Sequence, residues 1–147
     1  GIDSTGAIQA NTDIGILITD GASGNQIGGS EVNEENVVSG NTNSGIVIRK
    51  AGSDSNIVEG NFIGVLSDGV TDRANGGSGV EILDTASSNR IGGTTAGDKN
   101  IISGNTGNGK RAGKSRTNGN CYWFCNLLIR HSYLLDLLVC LRPLIEA

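Results

Sequence analysis

A short motif that returns along most of the chain constrains its fold more than any other feature. It reads Asn-Val-Val-Ser-Gly-Asn at 36–41, Asn-Ile-Val-Glu-Gly-Asn at 56–61 and Asn-Ile-Ile-Ser-Gly-Asn at 100–105. A longer self-match aligns residues 10–45 with residues 74–109. Internal repeats of this kind predict a solenoid, in which each repeat packs on its neighbours along the chain.

The composition of the repeats favours β-strands over helices. The chain has 24 Gly and one Pro, and its repeats are rich in Ile, Val and Asn but poor in helix-favouring residues. A subunit of roughly 20–22 residues is also too short for two helices and a turn. Short alternating runs bounded by Gly and Asn therefore predict strands of about three to five residues.

Steps of roughly 22 residues predict which side chains share a face, because neighbouring residues on a strand point to opposite sides. The column expected to face inward is entirely β-branched and consists of Ile16, Val38, Val58, Val80 and Ile102. The column expected to face outward is mixed and consists of Leu17, Ser39, Glu59, Glu81 and Ser103. In this register Glu59 faces water, and its substitution by Ala is expected to be nearly neutral.

Asparagine recurs where the chain must turn. Asn tolerates the left-handed backbone conformation and bonds neighbouring backbone groups. Where Asn residues from successive turns stack at one corner, their amides form ladders of hydrogen bonds that satisfy buried backbone groups. The residues predicted to form such ladders are Asn25, Asn36, Asn56, Asn89 and Asn100.

Five segments carry a family resemblance: NQIGG at 25–29, NVVSGNTNSGIVI at 36–48, NIVEGNFIG at 56–64, NGGSGVEI at 75–82 and NRIGGTTAGDKNIISGNTGNG at 89–109. They resemble the right-handed parallel β-helix repeats of bacterial secreted and surface proteins, in the pectin-lyase-like superfamily that includes pectate lyases and polygalacturonases. The resemblance implies an all-β solenoid, a right-handed parallel β-helix of about five coils. It also implies an extracellular or cell-surface location.

The repeat pattern stops after Gly109, where Lys110 occupies the place that Ile or Val takes in earlier repeats. We therefore divide the chain into a repeat domain at 1–109, interpreted as a fragment of a longer solenoid, and a tail at 110–147. The tail begins as a basic linker and continues as an apolar segment that is expected to be helical or disordered. It is either a cap on the solenoid or a frameshifted remnant of further coils. The sudden change of composition in mid-repeat favours the frameshift.

Charge is divided unevenly between these two parts. Residues 1–109 carry 13 acidic and 5 basic side chains, whereas residues 110–147 carry 2 acidic and 6 basic ones. Because phosphate binding needs a basic face, an acidic repeat domain argues against nucleic acid as a partner. The chain contains no unbroken apolar run of membrane-spanning length.

Glu59 and Glu81 are the candidate binding residues. The predicted register places them on adjacent coils, ~5 Å apart, which is the spacing between neighbouring strands. Two carboxylates at that distance share a proton, bind a cation, or act as nucleophile and acid on a glycoside. The alternative interpretation is two solvated carboxylates on an exposed face. This interpretation is favoured because Glu side chains are mostly exposed in folded proteins.

Other motifs are incomplete, and we assign no catalytic residue, metal or cofactor. Asn11-Thr12-Asp13 is similar to the NTD motif of polygalacturonases, but the other motifs of that family are missing. Residues 76–81 resemble one calcium-binding nonapeptide, whereas such sites need tandem copies. The tail also holds four soft ligands at spacings that are not typical of zinc sites. These are Cys121, Cys125, His131 and Cys140.

The sequence favours a non-catalytic function. We expect a β-helix repeat scaffold of a secreted or cell-surface protein, with weak carbohydrate binding on an outer face. Its expected partners are polysaccharide and further coils of the same solenoid. The alternative is a fragment of a polysaccharide lyase or glycoside hydrolase that acts on acidic polysaccharide. A cluster of three or more charged side chains on one outer face would favour this enzyme.

Overall fold

Short β-strands are the regular elements of this chain, in a computed structural model that describes residues 1–112 and Tyr122–Trp123. Within these residues there is no helix. The strands are β1 Ile16–Ile18, β2 Gln26–Gly28, β3 Val37–Val38, β4 Ile46–Arg49, β5 Ile57–Glu59, β6 Phe62–Ile63, β7 Val80–Leu83, β8 Arg90–Ile91, β9 Ile101–Ile102, β10 Lys110–Ala112 and β11 Tyr122–Trp123. The all-β prediction is confirmed for this part of the chain. The predicted helical or disordered segment of the tail lies outside the described residues, apart from β10 and β11.

The strands form three sheets, and every strand pairing within them is parallel. Sheet 1 has the order β1-β4-β7-β10, sheet 2 the order β2-β5-β8-β11, and sheet 3 the order β3-β6-β9. Each strand thus pairs with the strand three positions further along the chain. We call the sets β1–β3, β4–β6 and β7–β9 repeats 1, 2 and 3.

The step between paired strands is longer than the sequence analysis predicted. Ile16 pairs with Ile46 and Ile46 with Val80, so the chain advances 30 and then 34 residues. In sheet 2, Ile27 pairs with Val58 and Val58 with Ile91, 31 and then 33 residues apart. The predicted step of roughly 22 residues is therefore wrong, because it connects strands of different sheets. The described strands make three complete repeats and two strands, β10 and β11, of a fourth, where the sequence analysis expected about five coils.

The five residues of the predicted inward column are divided among the sheets. Ile16 and Val80 belong to sheet 1, Val58 to sheet 2, and Val38 and Ile102 to sheet 3. Their inward direction is nevertheless right, because four are buried and the half-buried Ile16 packs against the same core. All three sheets contribute to this core. It consists of Ile18, Ile27, Val38, Ile46, Ile48, Val58, Ile63, Val80, Ile82, Ala86, Ile91 and Ile102.

The predicted outward column is wrong at two positions. Leu17 is 43% exposed, but Ser39 is fully buried and Glu59 is only 6% exposed. Ser39 Oγ donates to the Val65 carbonyl at 2.8 Å and accepts from the Gly64 N–H at 2.9 Å. The loop after β6 therefore covers Ser39, so a side chain that points away from the core is still shielded from water.

Two loops of similar sequence lie on the same side of the molecule. Each closes with an antiparallel bridge, Ile2 to Ile8 in the first and Val65 to Asp72 in the second. They contact each other, since Arg73 Nε donates to the Gly6 carbonyl at 3.1 Å. These loops precede β1 and β7, which lie two repeats apart, and the self-match of residues 10–45 with 74–109 has the same two-repeat shift.

Candidate functional site

The most regular polar feature is a set of three asparagine ladders that connect the repeats. Ladder 1 consists of Asn25, Asn56 and Asn89. The backbone N–H and the Nδ2 of Asn25 both donate to Asn56 Oδ1, at 2.9 and 2.8 Å. The same two groups of Asn56 donate to Asn89 Oδ1, at 2.8 and 2.9 Å.

Ladder 2 consists of Asn36, Asn61 and Asn100. Asn36 donates to Asn61 Oδ1 from its backbone N–H and its Nδ2, at 3.2 and 3.0 Å. Asn61 donates in the same way to Asn100 Oδ1, at 3.0 and 3.1 Å. The five asparagines that the sequence analysis singled out therefore belong to two ladders, and Asn61 is the residue it missed between Asn36 and Asn100.

Ladder 3, formed by Asn41, Asn75 and Asn105, was not predicted. Asn41 donates to Asn75 Oδ1 at 3.1 and 2.8 Å, and Asn75 donates to Asn105 Oδ1 at 3.3 and 2.8 Å. The signal for it was the second Asn of the repeated motif, at 41 and 105. An uneven spacing of 34 and then 30 residues hid the connection to Asn75.

The middle asparagine of each ladder uses its whole amide group. Its Oδ1 accepts two hydrogen bonds, and its Nδ2 donates to the next Oδ1 and to a backbone carbonyl. These carbonyls belong to Ala22 for Asn56, at 3.2 Å, to Ile27 for Asn61, at 2.9 Å, and to Val38 for Asn75, at 2.9 Å. All three asparagines are at most 1% exposed. Asp lacks the two donors and Gln is one methylene longer, so Asn is the side chain that satisfies this geometry.

Glu59 and Glu81 do not form the predicted pair. Glu59 ends β5 and lies opposite Gly28 in sheet 2, whereas Glu81 lies in β7 opposite Val47 in sheet 1. The error follows from the step of roughly 22 residues, which connected strands of different sheets. The two carboxylates therefore do not have the adjacent-strand geometry for a shared proton or for paired action on a glycoside.

Glu59 is a buried link between the three repeats. Its Oε1 accepts from Gln26 Nε2 at 3.1 Å, and its Oε2 forms an ion pair with Arg90 Nη2 at 2.7 Å. The Glu59 side chain is 8% exposed and that of Arg90 is 28% exposed. Gln26, Glu59 and Arg90 come from β2, β5 and β8, so the cluster connects three adjacent strands of sheet 2.

A second carboxylate lies near Arg90. The Thr95 backbone N–H donates to Asp98 Oδ2 at 3.0 Å and lowers the pKa of that carboxyl group, and the Arg90 charge acts in the same direction. Arg90 also donates from Nη1 to the Gly92 carbonyl at 2.7 Å. The guanidinium is therefore held by partners within the protein.

The remaining sequence candidates are surface or turn features. Glu81 is partly exposed and accepts from Ser44 Oγ at 3.1 Å. Asp13 of the NTD segment is exposed and accepts from Asn43 Nδ2 at 3.1 Å. Gly76, which begins the single nonapeptide-like segment, donates its N–H to the Asn41 carbonyl at 2.9 Å. The four Cys and His candidates of the tail lie outside the described residues.

The part of the chain that the structure describes contains neither a metal-binding cluster nor a membrane-spanning helix. No group of three or more His, Cys, Asp or Glu side chains in residues 1–112 and 122–123 is placed to hold a metal ion. None of their elements is a helix long and apolar enough to cross a membrane. Comparisons of this chain with protein-family models, with curated proteins and with solved structures find no match.

We expect Asn61→Ala to lower the free energy of unfolding by about 2 kcal/mol or more, because it removes the donor to two buried carbonyls. These carbonyls belong to Ile27 and Glu59, and the exposed Asn36 also loses its acceptor. Asn36→Ala is the matched control, since Asn36 is exposed, and it should cost less than about 1 kcal/mol. Urea unfolding of the two variants measures the difference, and equal losses would contradict a buried ladder.

We expect Glu59→Ala to destabilise the protein by about 2 kcal/mol, because it leaves the partly buried Arg90 without its partner. This replaces the neutral effect expected from sequence. A double-mutant cycle with Arg90→Ala should give a coupling energy of about 1 kcal/mol. Glu81→Ala is the control and should change stability by less than about 0.5 kcal/mol. A coupling energy near zero would show that the ion pair does not stabilise the stack.

Proposed function

We propose that this chain is a non-catalytic structural scaffold whose strands wind as a right-handed parallel β-helix. Three parallel sheets around one core, with each strand paired to the third strand after it, support this winding. A right-handed connection is the usual one between parallel strands of the same sheet. The pectin-lyase-like resemblance of the repeats agrees with it.

The observation that carries the scaffold function is the set of three continuous asparagine ladders. Each ladder connects all three repeats, so the repeats are tied together at three separate corners. In a stack of this kind, stability comes from the contacts between neighbouring repeats. Hydrogen bonds that repeat along the stack direction resist bending and slipping between repeats, which is what a spacer needs.

Glu59, Arg90 and Asp98 lie close together, but Glu59 is buried, so this cluster does not present three charged side chains on an open outer face and supports a structural role over the hydrolase or lyase alternative. Both carboxylate oxygens of Glu59 are already bonded, one to Gln26 and one to Arg90. Catalysis by a carboxylate needs an oxygen within reach of the substrate, and burial removes that access. In this proposal a glycan makes only weak contact, on the outer face of sheet 1, where Leu17 is 43% exposed and Glu81 is partly exposed.

We propose further repeats of the same kind as the partner, at the edge formed by β1, β2 and β3. These are the first strands of all three sheets. Among the described residues, no donor contacts Oδ1 of Asn25 or Asn36, whereas Oδ1 of Asn41 accepts from the Gly1 ammonium at 2.6 Å. A preceding Asn rung would supply N–H donors to all three oxygens. On the basis of the family resemblance, we propose that such a scaffold lies outside the cell or on its surface.

An extended chain tests the proposed stacking. Residues 11–63 are copied in front of Gly1. The junction then joins the copied Ile63 to Gly1, and it matches the Ile63–Gly64 sequence of the original chain. The new interface should raise the melting temperature by about 5 °C or more. The matched control carries Asn56→Ala and Asn61→Ala in the copied segment, whose donors would otherwise meet Asn25 and Asn36. Equal melting temperatures for the two extended chains would contradict ladder-directed stacking.

Incubation with glycans tests the absence of catalysis. We expect no release of oligosaccharides from polygalacturonate, with or without Ca²⁺, and no new unsaturated ends. In affinity electrophoresis, weak retardation by an acidic glycan should decrease in a Leu17→Asp variant. Turnover that disappears in a Glu59→Gln, Glu81→Gln double variant would overturn the scaffold proposal in favour of the enzyme.

A further inference from the structure

We propose that Asn75–Gly76 is a site of spontaneous deamidation, which the folded stack suppresses and which local unfolding of ladder 3 exposes. The inference is independent of the scaffold function. It concerns the rate at which Asn75, the middle residue of ladder 3, is lost by chemical modification.

The residue that follows an asparagine determines how fast that asparagine deamidates. In deamidation the backbone nitrogen of the next residue attacks the Asn side-chain carbonyl carbon, and any side chain on that next residue hinders the approach. In ladders 1 and 2 the following residue is Gln26, Ile57, Arg90, Val37, Phe62 or Ile101. In ladder 3 it is Thr after Asn41 and Asn105, but Gly after Asn75. Asn75 is therefore the least protected rung by sequence.

The reaction balances with water as its only co-reactant. The Gly76 nitrogen forms a bond to Cγ of Asn75, the bond from Cγ to Nδ2 breaks, and the amide leaves as ammonia with the proton from Gly76. The product is a cyclic imide. Water then opens the imide at either carbonyl, which yields aspartate or isoaspartate at position 75.

The folded structure holds both reacting groups away from this geometry. Asn75 is fully buried, and its Nδ2 donates to the Val38 carbonyl at 2.9 Å and to Asn105 Oδ1 at 2.8 Å. The attacking nitrogen of Gly76 donates its proton to the Asn41 carbonyl at 2.9 Å. A Cβ at Gly76 would lie 2.1 Å from the Thr42 carbonyl oxygen, so the preceding repeat packs directly against this peptide. The reaction therefore requires the repeats to separate.

The product cannot rebuild the ladder. A carboxylate at position 75 has no N–H to donate, so its oxygens would face the Val38 carbonyl and Asn105 Oδ1 as acceptor against acceptor. Burial of a charge without a donor is strongly unfavourable. Isoaspartate also adds a methylene to the main chain, which shifts the residues that follow. Opening of ladder 3 thus becomes irreversible once the imide has formed.

Asn108–Gly109 provides an internal reference within the described residues. It has the same reactive dipeptide, but Asn108 is exposed. Its deamidation should proceed in the folded protein, so it reports the chemical rate under the same conditions.

The test incubates the full chain at mildly alkaline pH in buffer and in guanidinium chloride, and follows each Asn-containing peptide by mass spectrometry. Deamidation at Asn75 should be about 100-fold slower or more in buffer than in denaturant, because it depends on a rare open state. Asn108 should change by less than about tenfold between the two conditions, since its side chain is already exposed. Equal rates at Asn75 in buffer and denaturant would overturn the proposal.

Two variants keep the test independent of folding failure. Gly76→Ala, measured only in denaturant, should slow deamidation at Asn75 and leave Asn108 unchanged. If it does not, Gly76 is not the attacking residue.

After removal of denaturant, protein deamidated at Asn75 and the Asn75→Asp variant should both fail to regain the native β-sheet spectrum, whereas protein unfolded briefly should regain it. Refolding of the deamidated protein with the unfolding midpoint of fresh protein would overturn the claim of irreversibility.

Discussion

Amide-to-amide hydrogen bonds between stacked asparagines are the interaction on which the rest of this structure depends. A chain that turns after every two to four strand residues buries backbone groups at each turn, and those groups need partners. The ladders supply them, since the Nδ2 of a middle asparagine reaches both the next rung and a backbone carbonyl. All three ladders donate in the same direction, from each repeat to the following one. A slip of one residue would leave every rung unpaired, so the ladders also hold the strand register.

Turn geometry decides where the repeats are alike and where they differ. The turn from sheet 1 to sheet 2 is one residue longer in repeat 2 than in repeats 1 and 3, and it begins in each repeat with a residue of left-handed φ: Asp20 at 58°, Lys50 at 70° and Asp84 at 51°. Elsewhere long loops alternate with short turns. The loops after β2 and β8 meet across the short turn of repeat 2, where a Cβ at Gly97 would lie 2.2 Å from the Ser30 carbonyl oxygen. Only glycine allows this approach of one backbone to another.

Long loops also shield some side chains that point away from the core. In an open sheet, a residue that points away from the core meets water. Here Ser39 and Glu59 point away from the core but are shielded, and each makes hydrogen bonds that connect separate parts of the chain. The pairing of Glu59 with Arg90 therefore stabilises the stack. From sequence, a charged residue that follows the buried Val58 on a strand is instead expected to face solvent.

The sequence by itself determined the strands, their inward side chains and the use of asparagine at corners, because these depend on local chemistry: β-branched residues at alternate positions, and Asn and Gly at turns. Which strands pair was decided only by the tertiary structure. The same motif contains a strand of sheet 3 at 36–41 and at 100–105, but a strand of sheet 2 at 56–61. The length of the intervening loops places each copy, and loop length leaves no local signal. For the same reason Glu59 and Glu81 looked adjacent in sequence steps but lie in different sheets. Asn75, by contrast, showed no connection to the motif asparagines Asn41 and Asn105, yet it lies between them in one ladder.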